Sequence, residues 1–180
     1  MEIKTLLLTL LLFRVAAALP AEGPLSFLSE ELNVTGTWHL KGMVASKSLS
    51  EEDKPRKVFP IMMMVLEGGD VEAKITYIKM GRCHEEKVLL RKAKEPGEYS
   101  AYQGKMSIHI EALSVRDHCF FYTEHLSHGT TIRVGSLVGR TPEENPEALE
   151  EFKKFTQHKG LPQEDIFIPE QKENCVPEHS

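Results

Sequence analysis

The sequence predicts an all-β fold, an eight-stranded antiparallel up-and-down β-barrel with one C-terminal α-helix packed on the outside. Three observations predict it. From Gly36 to Arg140 the chain falls into short runs rich in β-branched, aromatic and methionine residues, broken by turn signals about every ten residues. Period-two alternation runs through "KITYIKM", "KMSIHIEAL" and "TIRVGSLV", apolar on one side and polar on the other, as strands with a dry inner and a wet outer face require. Finally, one helical segment with a single apolar stripe follows the strands; it is too small to be their core and must lie against the outside of the sheet.

Composition sets the frame. At 180 residues and 41% hydrophobic content the chain supports one core and one domain. A net charge of -5, a pI near 5.9 and scattered basic residues exclude the electrostatic footprint of a nucleic-acid binder. At the N-terminus, Lys4, an apolar run from Leu6 to Phe13 and the small residues Ala16 to Ala18 read as a secretory signal over 1–18. Cleavage is expected after Ala18 or a few residues on, near Ala21. The run is too short to span a bilayer, so the reading is a secreted, extracellular protein without stable membrane insertion. Residues 19–35 form an N-terminal arm, and 36–180 the folded domain, with the barrel over 36–140, a helix over about 146–159 and a short last strand and tail over 165–180.

The first strand opens on "GTW", Gly36 to Trp38, which holds the only tryptophan. "EEDKPRK", "EGGD", "MGRC", "KEPGE", "QGK", "SVRD" and "SHGT" then separate the remaining strands, glycine or proline supplying most of the turns. Closing the strands removes their exposed edges. The run "FPIMMMVLEG" is apolar on both faces, so Met62 and Met64 are expected to be covered from outside, by the helix or a neighbouring element. In the helical segment Asn145 can cap, Pro146 takes the first position, and Gly160 with Pro162 ends it. Ala148, Leu149, Phe152 and Phe155 share its apolar stripe.

Of the three cysteines, Cys119 sits in the strand-like run "HCFFYTEH", where a thiol packs as a small hydrophobe. Cys83 and Cys175 stand in polar, turn-like surroundings and are expected to pair in an oxidising compartment. Closing that loop of about 90 residues contributes roughly 4 to 5 kcal/mol on the chain-entropy model. Asn33-Val34-Thr35 is a glycosylation sequon just ahead of the first strand. "HLSH", with His125 and His128 at a hairpin tip and His118 nearby, lacks a carboxylate or thiolate partner for metal, and no metal or other cofactor is expected.

Four landmarks in order give the chain its resemblance to the lipocalin family. They are "GTW"; "RD" at Arg116 and Asp117, where the family carries Thr-Asp-Tyr and His118 here stands in the tyrosine's place; "LVGR", Leu137 to Arg140; and the helix, short last strand and tail cysteine behind them. The match is strongest to the odorant-binding, tear and vomeronasal secretory branch. It implies a structural closure in which Arg140 covers Trp38 beside Gly36, and a cavity for one small lipophilic molecule.

Alternation then assigns the cavity wall: Phe59, Met63, Val65, Ile75, Tyr77, Val88, Leu90, Ile108, Ile110, Phe120, Tyr122, Val134, Ser136 and Val138, with the register of the strand holding Phe120 and Tyr122 open by one residue. Tyr77, Tyr122 or Ser136 would give the ligand its one hydrogen bond. The expected function is a secreted, non-catalytic carrier of odorants, pheromones or lipids, acting as a monomer or weak dimer. The alternative is a secreted interaction protein or protease inhibitor that uses its outer surface. An enzyme working through Cys119 ranks below both, because no cationic side chain in its strand run would activate the thiol.

Overall fold

The computed structural model describes residues 32–50 and 54–177; the signal over 1–18 and most of the arm lie outside the described residues. The described strands are β1 (Gly36–Ala45), β2 (Lys57–Val58), β3 (Ile61–Val65), β4 (Val71–Lys79), β5 (Arg82–Lys92), β6 (Glu98–Ala101), β7 (Met106–Ala112), β8 (His118–Ser127), β9 (Thr130–Gly139) and β10 (Glu170–Gln171). One helix, α1, spans Pro146–His158. Eight strands close an antiparallel barrel in the order β1, β3, β4, β5, β6, β7, β8, β9, with β9 returning to β1.

Closure depends on β1 pairing on both sides. Gly36 to Trp38 pair with Met63 to Ile61 of β3, while His39 to Ala45 pair with Gly139 to Val134 of β9. A register shift between Leu40 and Gly42 places the extra residue, Lys41, in a bulge. Leu40 before the bulge packs against the inner core, whereas Gly42 faces Phe152 and Val44 joins the cluster under the helix. The bulge therefore leaves Lys41 and Gly42 together on the outer side.

Two apolar clusters result, one inside the barrel and one between its outer face and α1. The helix starts where the sequence places it: the Ala148 N–H donates to Asn145 Oδ1 at 3.0 Å, and Pro146 supplies a preset φ. Phe152, fully buried, and Phe155 meet Phe120, with ring centroids 5.8 and 4.1 Å apart. Burying a phenylalanine this way contributes about 1.5–3 kcal/mol. The Glu151 carboxylate also ties the helix to the β7–β8 turn, accepting from the Ser114 N–H at 2.9 Å and hydroxyl at 2.7 Å.

This seat corrects the expected cover of Met62 and Met64, which are 47% and 55% exposed. The helix reaches the outer face of β1, β8 and β9, because Val44, Phe120 and Leu137 form the apolar outer patch that its stripe fits. On β3 the outward methionines instead neighbour Lys74 and Glu72 of β4, whose charges keep that face wet.

The short last strand has a partner that the sequence did not reveal: β10 pairs in parallel with the two-residue β2. A further bridge joins Met43 to Phe167. Cys83 at the start of β5 is bonded to Cys175, sequence separation 92, which fastens the tail to the barrel.

Candidate functional site inside the barrel

The barrel has a closed end, and Trp38 makes it. Its indole N–H donates to the Val34 carbonyl at 2.8 Å, and the side chain is 2% exposed. Arg140 lies over the ring with its guanidinium carbon 3.9 Å from the centroid. The same guanidinium donates to the carbonyls of Thr35 at 2.8 Å and Asn33 at 2.9 Å, which draws the incoming chain across the barrel base. Gly36 permits this approach: its φ is +112°, and a Cβ there would stand 2.9 Å from Arg140 Nη1.

Above that base, Met63, Val88, Leu90, Ile108, Ile110 and Val138 are buried in the inner cluster, with Ile75 packed at its margin. The same wall holds Val71, Ala73, Tyr99, Ala101 and the half-buried Leu40, which the sequence reading passed over, and Cys119 and Phe121, which belong to the other register it left open on their strand. Val134 and Ser136 alternate with Val138 onto this face and are half-buried.

Phe120 and Tyr122 are corrections, because β8 presents the opposite parity. Cys119 pairs with Val138 and Phe121 with Ser136, so these turn inward, while Phe120, opposite Leu137, turns out under the helix. Tyr122 joins the same outer cluster, its hydroxyl donating to Glu124 Oε1 at 3.1 Å and the Lys159 ammonium standing 5.0 Å from its ring. The run "CFFY" is apolar on both faces, so alternation alone could not set its register. Two signals could have: Glu111 pairs with Phe120 and Ile110 with Phe121, and the helix stripe needed an apolar receiver.

Three other assigned residues lie at the margins. Val65, 42% exposed, borders a cleft of about 200 Å³ with Leu32, Asn33, Gly69 and Tyr99. Tyr77, 36% exposed, stacks on His84 near the β4–β5 turn. Phe59 is buried but belongs to neither cluster.

The open end is polar where the base is not. Glu86 alternates with Val88 and accepts from the Tyr102 hydroxyl at 2.8 Å. Burial, then that hydrogen bond, pushes the Tyr102 phenol up to about 12. Deep in the wall, burial pushes the Cys119 thiol up to about 12, the reverse of what a nucleophilic cysteine needs. Among the described residues no group of three His, Cys, Asp or Glu side chains is placed to hold a metal, and none of the helices is long and apolar enough to cross a membrane.

A closed eight-stranded barrel with an apolar interior, a sealed base and a polar rim defines a small-molecule binding protein. Residues 35–173 match the model of the lipocalin / cytosolic fatty-acid binding protein family, and the chain belongs to that family. Similar proteins include the major allergen Can f 1 of Canis lupus familiaris, 41% identical over 97% of this chain and 98% of that one. Odorant-binding protein 2a of Mus musculus is 40% identical, covering 96% and 98% of the two chains. Vomeronasal secretory protein 2 of Mus musculus is 38% identical, covering 98% and 95%. In fold the chain resembles a solved structure of the siderocalin Ex-FABP, with a TM-score of 0.67 at 14% identity over 82% of this chain and 96% of that one. The family is one of carriers rather than enzymes, and this chain is a carrier of small hydrophobic ligands.

Proposed function

We propose that the protein is secreted and carries odorant, pheromone or lipid-type molecules within the barrel. One observation carries this reading: thirteen buried apolar residues form one continuous cluster inside the barrel, while the buried polar and charged side chains among the described residues, Lys41, His118 and Thr156, stand outside it. Apolar burial would drive binding, at roughly 25 cal/mol per Å² before ordering costs. The revised wall consists of Met63, Ile75, Val88, Leu90, Ile108, Ile110, Phe121 and Val138, with Ser136 the hydroxyl for the ligand's polar end. Secretion draws support from the leader-like N-terminus, the Cys83–Cys175 bond and the name of the vomeronasal secretory relative. Asn33 is exposed at its sequon, with its Oδ1 accepting from the Thr35 N–H at 3.0 Å, and is proposed to carry glycan.

The test is displacement of 1-anilinonaphthalene-8-sulfonate by a series of medium-chain alcohols, aldehydes and fatty acids. Graded displacement supports the carrier, and the strongest competitor identifies the ligand type; a probe that none of them displaces contradicts it. Secretion into culture medium with an N-terminus near Leu19, and a mass loss on enzymatic deglycosylation, test the other two parts.

A further inference from the structure

The family pattern has a tyrosine where this chain has His118, and that histidine is engaged outside the barrel. His118 Nδ1 lies 2.8 Å from the Arg116 carbonyl oxygen, and its Nε2 lies 3.0 Å from Lys41 Nζ. A carbonyl only accepts, so Nδ1 carries a proton and Nε2 turns a lone pair toward the lysine. If the lysine's proton moves onto Nε2, both hydrogen bonds survive with one reversed. The arrangement thus satisfies ammonium with imidazole and amine with imidazolium equally.

The surroundings are built for the pair. Lys41 is only 7% exposed, and the bulge in β1 turns it outward. Opposite it, a Cβ on Gly139 would stand 2.8 Å from Lys41 Cδ and 2.9 Å from His118 Nε2, so glycine leaves the room they occupy. Burial lowers the lysine's pKa, which raises its free-amine fraction, while Glu143 and Glu144 oppose this through space. Its side-chain hydrogen-bond partner is the His118 imidazole.

Lys41 also lines a groove of about 450 Å³ between the start of α1 and the segment leading into β10. Leu137, Leu149 and Ile168 give it apolar walls, and Glu143, Glu144 and Glu170 add carboxylates that disfavour anions. A neutral molecule with an alkyl chain and an electrophilic carbonyl matches walls, charge and amine together. We propose that this outer groove captures small aliphatic aldehydes as an imine on Lys41, with His118 as the proton relay.

The chemistry balances without a further reactant. The Lys41 ammonium gives a proton to His118 Nε2, and the freed nitrogen lone pair forms the C–N bond as the carbonyl π pair moves to oxygen. That oxygen takes the proton from Nε2, giving a carbinolamine. Nitrogen then returns one proton to Nε2, which passes it to the hydroxyl; water leaves and the protonated C=N bond forms. Aldehyde and ammonium yield iminium and water. The inference does not rest on the barrel reading, since the groove and the barrel interior lie on opposite faces of the β1–β9 wall.

Hexanal with sodium cyanoborohydride on the full chain, followed by peptide mapping, tests it. Lys41 should gain the hexyl group at least about tenfold faster than exposed Lys94, Lys105 and Lys154, as expected for a desolvated lysine with an adjacent base. His118→Tyr should bring Lys41 down to the rate of those lysines with the circular dichroism unchanged, and Lys41→Arg should abolish the fast phase while probe binding in the barrel persists. Labelling of Lys41 no faster than the exposed lysines, or labelling suppressed by a saturating barrel ligand, would overturn it. The rate comparison within the wild-type protein stands even if a variant does not fold.

Discussion

Arg140 holds its guanidinium carbon 3.9 Å from the centre of the Trp38 ring while binding the carbonyls of Asn33 and Thr35. One residue at the end of β9 thereby caps the indole and positions the chain entering β1. Trp38→Ala is expected to cost about 3–5 kcal/mol, as for a buried aromatic. Arg140→Lys keeps a cation but loses the fork that spans two carbonyls, and is expected to cost about 1–3 kcal/mol. Urea unfolding midpoints check both, with the larger shift for Trp38→Ala.

Phe120 belongs to the helix interface. Phe120→Ala should cost about 3–5 kcal/mol, since the ring is 4% exposed and packs against both Phe152 and Phe155. Hydrogen exchange in α1 should accelerate in this variant beyond the increase in the β4–β5 hairpin.

Cys119 should be inert in the folded protein. Burial raises its folded pKa to about 12, above the ordinary thiol value, so the neutral thiol is favoured. Its contribution to stability is therefore full below about pH 8.5 and is lost as pH rises toward about 12. Native protein should not react with a disulfide dye at pH 8, whereas protein in denaturant should release one equivalent. Rapid labelling of the native protein would contradict the buried placement.

Reducing the Cys83–Cys175 bond should lower stability by roughly 4 to 5 kcal/mol on the chain-entropy model, less if the reduced unfolded chain keeps structure. Pairing of β10 with β2 lies just ahead of Cys175, so protection of the Glu170 and Lys172 amides, which donate to the Arg56 and Val58 carbonyls, should fall first.

Much of this architecture is legible in the chain. Glycine and proline punctuation marks the barrel strands, alternation places Met63, Ile108 and Val138 inside, and the cap at Asn145 and the cysteine environments locate the helix and the disulfide. Legibility fails where local pattern is silent. "CFFY" is apolar on both faces, so only pairing with Ile110 and Ser136 decides that Phe121 and not Phe120 enters the barrel. The seat of α1 is likewise a tertiary choice, made by the outer patch of Val44, Phe120 and Leu137 and not by the longer apolar run at Met62 to Met64. The Lys41–His118 contact joins residues 77 apart in sequence across a bulge, and no periodicity announces it.

The central claim is that ligand lies within the barrel against the wall bearing Phe121. Titrating the same fluorescent lipophile into Phe121→Trp and Phe120→Leu tests it most directly. The account predicts that the added bulk in Phe121→Trp weakens binding at least about tenfold, or about 1.4 kcal/mol, while Phe120→Leu binds as the wild type does. Undiminished binding by Phe121→Trp, together with loss in Phe120→Leu, would place the ligand outside the barrel and contradict it.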